Sequence, residues 1–215
     1  MPALTLYVDS NFISPYAMAC FVALTEKQLP FELKPIDIDA GDHLLAPYRD
    51  LAPIGRVPML VHGDGGQDDI VLNESSAIIE YLDELFPAPE YAPLLPGDVV
   101  QRAKARQVMA WIRSDLLALR AERTTVSVFI EPTSTPLTEA GQGAAERLIR
   151  IAERLIDGDH LFGAWSIADT DLALMLNRLV KNGDPVPERL AAYVRAQWQR
   201  PSVQAWLAKR PAATA

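Results

Sequence analysis

The sequence predicts a mixed α/β domain over residues 1–86, a linker over 87–97, and an all-helical domain over 98–215. Three observations carry this division. The first part interleaves short β-branched and aromatic runs with helical apolar spacing. The stretch Pro87 to Gly97 holds four prolines and little periodicity, as linkers do. Beyond it the strand signals vanish and long helical patterns follow one another.

The elements can be taken in order. Leu4 to Val8 alternates around apolar positions and reads as a first strand. Asp9 to Ser14 is loop-like, and Ser14-Pro15 opens a helix with serine at the N-cap and proline at the first helical position. That helix carries Ala17, Met18, Phe21, Val22 and Leu24 and stops near Glu26-Lys27-Gln28. Phe31 to Ile38 is a second strand; Pro35 lacks a backbone donor, so the strand belongs at a sheet edge. Gly41 to Asp50 predicts an irregular helix. Met59 to Val61 is a third strand, Asp64-Gly65-Gly66 a turn, and Ile70 to Leu72 a fourth strand antiparallel to the third. Glu74-Ser75-Ser76 opens a helix that ends before Pro87. The order β-α-β-α-β-β-α, with right-handed crossover, is the thioredoxin-like arrangement.

In the second half, Asp98-Val99-Val100-Gln101 resembles a capping box ahead of a long helix bearing Val108, Trp111, Ile112, Leu116 and Leu119 on one face. Further helices are expected over Leu137 to Asp157, from Ser166, over Pro187 to Trp198, and over Ser202 to Lys209. The loop Val126 to Thr138 is not placed by its pattern.

Composition narrows the function. Apolar residues make up 49% and charged residues 22%, as in an ordinary globular protein. The net charge of -8 disfavours nucleic acid as a partner. A single cysteine, Cys20, excludes an internal disulfide and is too few for a thiolate zinc site, so no metal is expected. No stretch reaches the ~18 apolar residues that span a bilayer, and no signal peptide is apparent; no membrane partner and a cytoplasmic location are expected.

Four motifs, in this order and spacing, resemble the cytosolic glutathione transferase family across most of the chain: Ser14-Pro15-Tyr16 with Ala23 to Phe31, Pro53-Ile54-Gly55-Arg56-Val57-Pro58, Glu74-Ser75-Ser76-Ala77-Ile78, and Ser166-Ile167-Ala168-Asp169. The segments Ala110 to Leu116 and Ile167 to Met175 are similar to the bacterial YfcF-like members.

The resemblance implies glutathione as co-substrate, a small apolar electrophile or a peroxide as second substrate, and a homodimer. A free thiol titrates near 8.5 and only its thiolate is a good nucleophile. Ser14 matches the family's catalytic serine, whose hydroxyl would stabilise that thiolate at a helix N-terminus; its alternative role is a plain N-cap, and the two can alternate. Ser10, Asn11, Tyr7 and a redox-active Cys20 are rivals for contact with the thiol. In the family the Val57-Pro58 bond is cis and the Val57 backbone pairs with the cysteinyl peptide. Glu74 would pair with the γ-glutamyl amine and Ser75 would hold its carboxylate; their alternative is an ordinary capping pair. Arg56 and His43 match positions that reach the glycine carboxylate. Gly55 stands where some relatives carry a histidine contact.

Asp169 reads as the acid of a capping box rather than a catalytic group. Trp111 reads as core or substrate wall, and Arg113 and Asp115 as cross-domain or ligand contacts. The implied function is thiolate transfer to an electrophile, with glutathione peroxidase activity beside it. The alternatives are a non-catalytic interaction module, whose mark would be loss of Ser14, Glu74 or Ser75, and a glutathione-dependent isomerase or dehalogenase.

Overall fold

The structure, a computed structural model, describes residues 3–52, 54–64, 66 and 68–211. Pro53 of the second motif and Gly65 of the expected turn lie outside the described residues. By internal packing the chain divides into two compact units. Among the described residues, one runs through Leu94 and takes in 205–211, and the other spans Leu95–Gln204.

In the first unit the order is β1 (Leu4–Asp9), α1 (Pro15–Glu26), β2 (Glu32–Ile36), a 3-10 turn (Asp42–Leu44), α2 (Tyr48–Leu51), β3 (Met59–His62), β4 (Ile70–Asn73) and α3 (Ser75–Leu85). The described strands form one sheet in the order β2-β1-β3-β4. β2 runs parallel to β1 at the edge, where Pro35 faces Val8 and no neighbour asks for the missing N–H. β3 is antiparallel to both β1 and β4. The expected irregular helix over 41–50 resolves into the 3-10 turn and α2.

Alternation along β1 separates two faces. Leu4, Leu6 and Val8 are buried on the face of α1, whose Ala17 to Leu24 are all buried. Tyr7, Met59, Val61 and Val71 turn to the other face, where Tyr48 and Ala52 pack on them. Below the sheet, Lys27 is fully buried. Its ammonium pairs with Asp83 at 3.0 Å and donates to the carbonyls of Phe86 (2.7 Å) and Ala92 (2.9 Å). Asp83 also accepts the Leu94 N–H at 2.8 Å, so the proline-rich segment is fastened to α1 and α3. Removing one partner of so buried a pair costs about 3–5 kcal/mol.

The second unit comprises α4 (Val99–Ser114), α5 (Leu117–Glu122), α6 (Thr125–Phe129), α7 (Glu139–Leu155), α8 (Ile167–Val180) and α9 (Glu188–Trp198); α10 (Pro201–Leu207) straddles the division. One expectation fails. The helix from Asp98 does not continue to Leu119. It ends at Ser114; Leu116 adopts a left-handed backbone (φ 60°), and α5 begins after it. The Asp115 carboxylate captures the Leu116 N–H at 2.7 Å, which replaces the helical bond at the break. Leu116 and Leu119 are nevertheless fully buried in the same core as Val108 and Ile112.

Candidate functional site

The strand register decides what meets what. Tyr7 pairs with Met59 and Met59 with Asn73, while Asp9 pairs with Ile36. The ends of β1, β2 and β4 and the start of β3 therefore lie at one end of the sheet. The chain leaving β1 reaches Ser14, the chain entering β3 is Val57-Pro58, and the chain leaving β4 is Glu74-Ser75. The chain leaving β2 leads to His43.

Ser14 is the N-cap of α1. Its Oγ accepts the Ala17 N–H at 3.3 Å, and its hydroxyl hydrogen has no acceptor among the described residues. The cap bond therefore uses the Ser14 oxygen as acceptor and leaves its O–H as a donor. The loop before it is held by a residue that the sequence marked only as loop. Asp9 is 6% exposed, and its carboxylate accepts the N–H groups of Ile13 (2.7 Å) and Ser14 (3.0 Å). Burial pushes the Asp9 carboxyl above its ordinary value, against the pull of those two donors.

The rivals stand in different settings. Asn11 donates its amide to Asp39 at 2.9 Å. The Ser10 N–H closes onto Ile36 at 2.9 Å. Tyr7 sits on the α2 face, edge-on to Tyr48, with the Lys34 ammonium 5.7 Å from its ring centre. Cys20 is fully buried, its S–H directed at the Ser75 carbonyl (3.9 Å), and so ties α1 to the start of α3.

The Val57-Pro58 peptide is cis. Neither the N–H nor the C=O of Val57 has a backbone partner among the described residues. Two side chains brace this segment, and the sequence did not mark them. The Tyr48 hydroxyl donates to the Arg56 carbonyl at 2.7 Å, and the Asn73 amide reaches the carbonyls of Arg56 and Pro58 at 3.4 Å each. Burial raises the Tyr48 phenol well above its ordinary range, so it stays a donor. Both act between elements, so no local sequence pattern reveals them.

Glu74 adopts φ 66°, ψ 113°, a conformation that disfavours any side chain, and it makes no side-chain cap bond. The ordinary-capping alternative therefore does not describe it. Such strain, on the order of 1–3 kcal/mol, concentrates where a side chain must point at a ligand. Ser75 follows at the first position of α3 and is 3% exposed. The first-turn N–H groups of a helix have no intrahelical acceptors, and here the N-cap side chain does not supply one.

Arg56 is exposed, and its guanidinium has no partner among the described residues. His43 is half-buried with an unpartnered, buried Nδ1. Gly55 (φ 62°) brings the two segments together: a Cβ there would lie 3.8 Å from the His43 carbonyl.

In the helical unit, Asp169 is fully buried and accepts the N–H groups of Leu161 and Ser166 (2.8 Å each), the Ser166 hydroxyl (3.1 Å) and the Tyr193 hydroxyl (2.9 Å). Its oxygens are used for structure. Arg113 pairs with Asp171 at 3.0 Å, and Asp115 takes the Trp111 indole N–H (3.1 Å) and Arg147 (3.1 Å). These bonds lie within the helical unit rather than across its boundary.

Among the described residues no helix is long and apolar enough to cross a membrane. Residues 13–85 match the model of the glutathione S-transferase N-terminal domain, and residues 98–211 match that of the C-terminal domain. A glutathione transferase homolog from Burkholderia GL BGR1, solved with bound glutathione, is 46% identical with a TM-score of 0.78; the match covers 96% of this chain and 97% of that one. Glutathione S-transferase Z1 of Arabidopsis thaliana is 30% identical over 80% of this chain and 78% of its own. Maleylacetoacetate isomerase of Pseudomonas aeruginosa is 38% identical over 52% of this chain and 49% of its own. With both domain models matched in order and the sheet and helices built to the same plan, the chain belongs to the glutathione transferase family.

Proposed function

We propose that the protein is a glutathione-dependent transferase whose site is the sheet end carrying Ser14, Val57-Pro58 and Glu74-Ser75. One observation carries the reading. A hydroxyl donor at the start of α1, an unpaired backbone at Val57 and a start of α3 whose N-cap side chain, Glu74, makes no cap bond converge there. These are the groups that a thiol, a peptide and a carboxylate require.

In this reading the cysteinyl peptide of glutathione pairs with the N–H and C=O of Val57 beside Pro58, as an added strand does. The γ-glutamyl carboxylate sits on Ser75 at the positive end of α3, and its amine pairs with Glu74. Arg56 and His43 take the glycine carboxylate. The thiol then faces Ser14. Lowering a thiol's pKa by about two units needs roughly 3 kcal/mol of preferential thiolate stabilisation. The Ser14 hydroxyl and the α1 N-terminus share that task. The thiolate attacks an apolar carbon electrophile; attack on a peroxide oxygen is the second reaction of the same group. The proposed assembly is a homodimer. The isomerase relative supports a second reading, in which the thiolate adds to and then leaves an olefinic acid.

Calorimetric titration of glutathione tests this. The wild type should bind, and Ser75→Ala and Glu74→Gln should each weaken binding at least tenfold. Ser14→Ala should keep the affinity within a few-fold and lower kcat by on the order of 10²-fold, with the pH–rate midpoint moved upward. Relative rates on an aryl halide, a hydroperoxide and a cis-olefinic acid separate the chemistries. A wild type that does not bind glutathione overturns the reading in favour of an interaction module.

A further inference from the structure

The carbonyls of Arg56, Val57 and Pro58 follow one another at the entry to β3, and their surroundings differ. The Tyr48 hydroxyl donates to the Arg56 carbonyl at 2.7 Å, and the Asn73 amide lies 3.4 Å from both the Arg56 and the Pro58 carbonyls. Val57, between them, has no backbone partner for its N–H or C=O among the described residues. We infer that Tyr48 and Asn73 are positioning residues: by occupying the outer carbonyls they hold this segment in the register that offers Val57 to the glutathione peptide, and so set glutathione affinity without acting on the thiol. The inference rests on the sheet-end site proposed above and adds the side chains that shape it.

Each brace comes from a different element and is itself fixed. Tyr48 is the first residue of α2, is 4% exposed and packs edge-on to Tyr7, with ring centres 5.6 Å apart. Ala52 and Met59 belong to the same buried cluster, so the ring is held and its hydroxyl is delivered to one acceptor. Burial pushes the phenol well above its ordinary value, so the O–H remains a donor wherever a thiol titrates. The turn leaving α2 is closed by the Gly55 N–H on the Ala52 carbonyl at 2.8 Å. Between that turn and Met59, where β3 begins to pair, Tyr48 and Asn73 supply hydrogen bonds to the segment.

Asn73 also joins two arms of the site. It is the last residue of β4, pairs with Met59 and directly precedes Glu74-Ser75. Its amide therefore ties the arm that carries Val57 to the arm that carries the proposed γ-glutamyl contacts. Both arms must meet one ligand at a fixed spacing, and a shift of about 1 Å in a positioned group is enough to lose much of its contribution. Ser14 hangs on other bonds, those of Asp9 and the start of α1. Loss of the brace should accordingly appear in glutathione binding and leave the thiol pKa alone.

The test is calorimetric titration of glutathione into the wild type, Tyr48→Phe and Asn73→Leu, each well below its melting transition. The ultraviolet thiolate absorbance of the bound glutathione is followed against pH in parallel. Tyr48→Phe keeps the ring and removes the donor; Asn73→Leu keeps the branched shape and removes the amide. Each should raise the Kd for glutathione about tenfold, with the pKa of the bound thiol unmoved. Ser14→Ala should give the opposite pattern, a raised thiol pKa with affinity little changed. Affinities within twofold of the wild type in both folded variants, or a thiol pKa that rises in step with Kd, would overturn the proposal. A wild type that does not bind glutathione overturns the sheet-end reading and this inference with it, and is told apart because it fails before any substitution is made.

Discussion

Asp9 shows how a single buried carboxylate can set the geometry of a neighbouring hydroxyl. Its oxygens hold the Ile13 and Ser14 amides, and so fix the backbone from which the Ser14 side chain projects. Asp9→Asn keeps an acceptor for one amide and turns an NH2 toward the other. The lost bond costs about 1–3 kcal/mol, but the variant is also relieved of a buried charge, so the net change in stability at neutral pH is expected to be small. The catalytic effect should be larger: at least a tenfold loss of kcat and an upward move of the pH–rate midpoint, with glutathione affinity little changed. The pH dependence has a definite sign. Burial raises the Asp9 pKa, so the fold favours its protonated form; that stability is present at low pH and is lost as pH rises through the folded value. The advantage of the wild type over Asp9→Asn should therefore grow as pH falls from 7 toward 4 in thermal melts. A constant difference would mean that Asp9 does not carry this proton. At this scale the sequence displayed Ser14 and Glu74-Ser75 because helix starts have a local signature. It hid Asp9, Tyr48 and Asn73, whose bonds run between elements or across an irregular loop.

Elements show the same split between local and non-local causes. The starts of α1 and α8 were legible because proline at a first position and a Ser–Asp capping box are local chemistry. The break between α4 and α5 was not, because Val108, Ile112, Leu116 and Leu119 keep helical spacing through it; only the capture of the Leu116 amide by Asp115 interrupts the ladder. The start of α7 is another case. A capping box would place an acid at the third helical position, but Gly141 stands there. Glu122, at the end of α5, supplies the acid instead and takes both the N–H and the hydroxyl of Thr138 at 2.7 Å. A Cβ on Gly141 would come within 2.6 Å of the Glu122 carboxylate, so the glycine leaves it room. Those bonds lower the Glu122 pKa below 4.5, so its contribution is present above that value and lost as pH falls through the folded one. Gly141→Ala gains about 1 kcal/mol of helix propensity and displaces Glu122. Melts of this variant and of Glu122→Gln should lose the same acid-side slope below about pH 4.5. A slope retained in Gly141→Ala would show that Glu122 keeps its bonds despite the new methyl.

For the whole molecule, the informative fact is that the chain leaves the first unit after Leu94 and rejoins it at Ala205. The returning segment brings Trp206, which is fully buried, against Phe12 at 5.2 Å and Phe21 at 5.4 Å between ring centres. Phe12 lies two residues before Ser14 with a left-handed backbone (φ 54°), and Phe21 lies on the inner face of α1. A residue near the end of the chain thus supports the loop and helix that carry the proposed thiol-activating hydroxyl, and a fragment ending at residue 94 would lack that support. The proline-rich stretch has a local mark in the sequence. The return was invisible, since a tryptophan in a short terminal helix has no sequence mark of where it inserts. Trp206→Ala should cost about 3–5 kcal/mol through the cavity it leaves. Trp206→Phe should cost less, because it keeps an aromatic edge and removes an indole N–H that has no partner among the described residues. Near the centre of the melt the two effects could be confused with general unfolding, so glutathione titration belongs well below it. There Trp206→Ala should bind glutathione more weakly than Trp206→Phe, although neither residue is placed at the ligand, because the Phe12 loop relaxes when its support is removed. Equal affinities in two folded variants would show that the loop is held by Asp9 alone and that the returning segment serves stability without shaping the site.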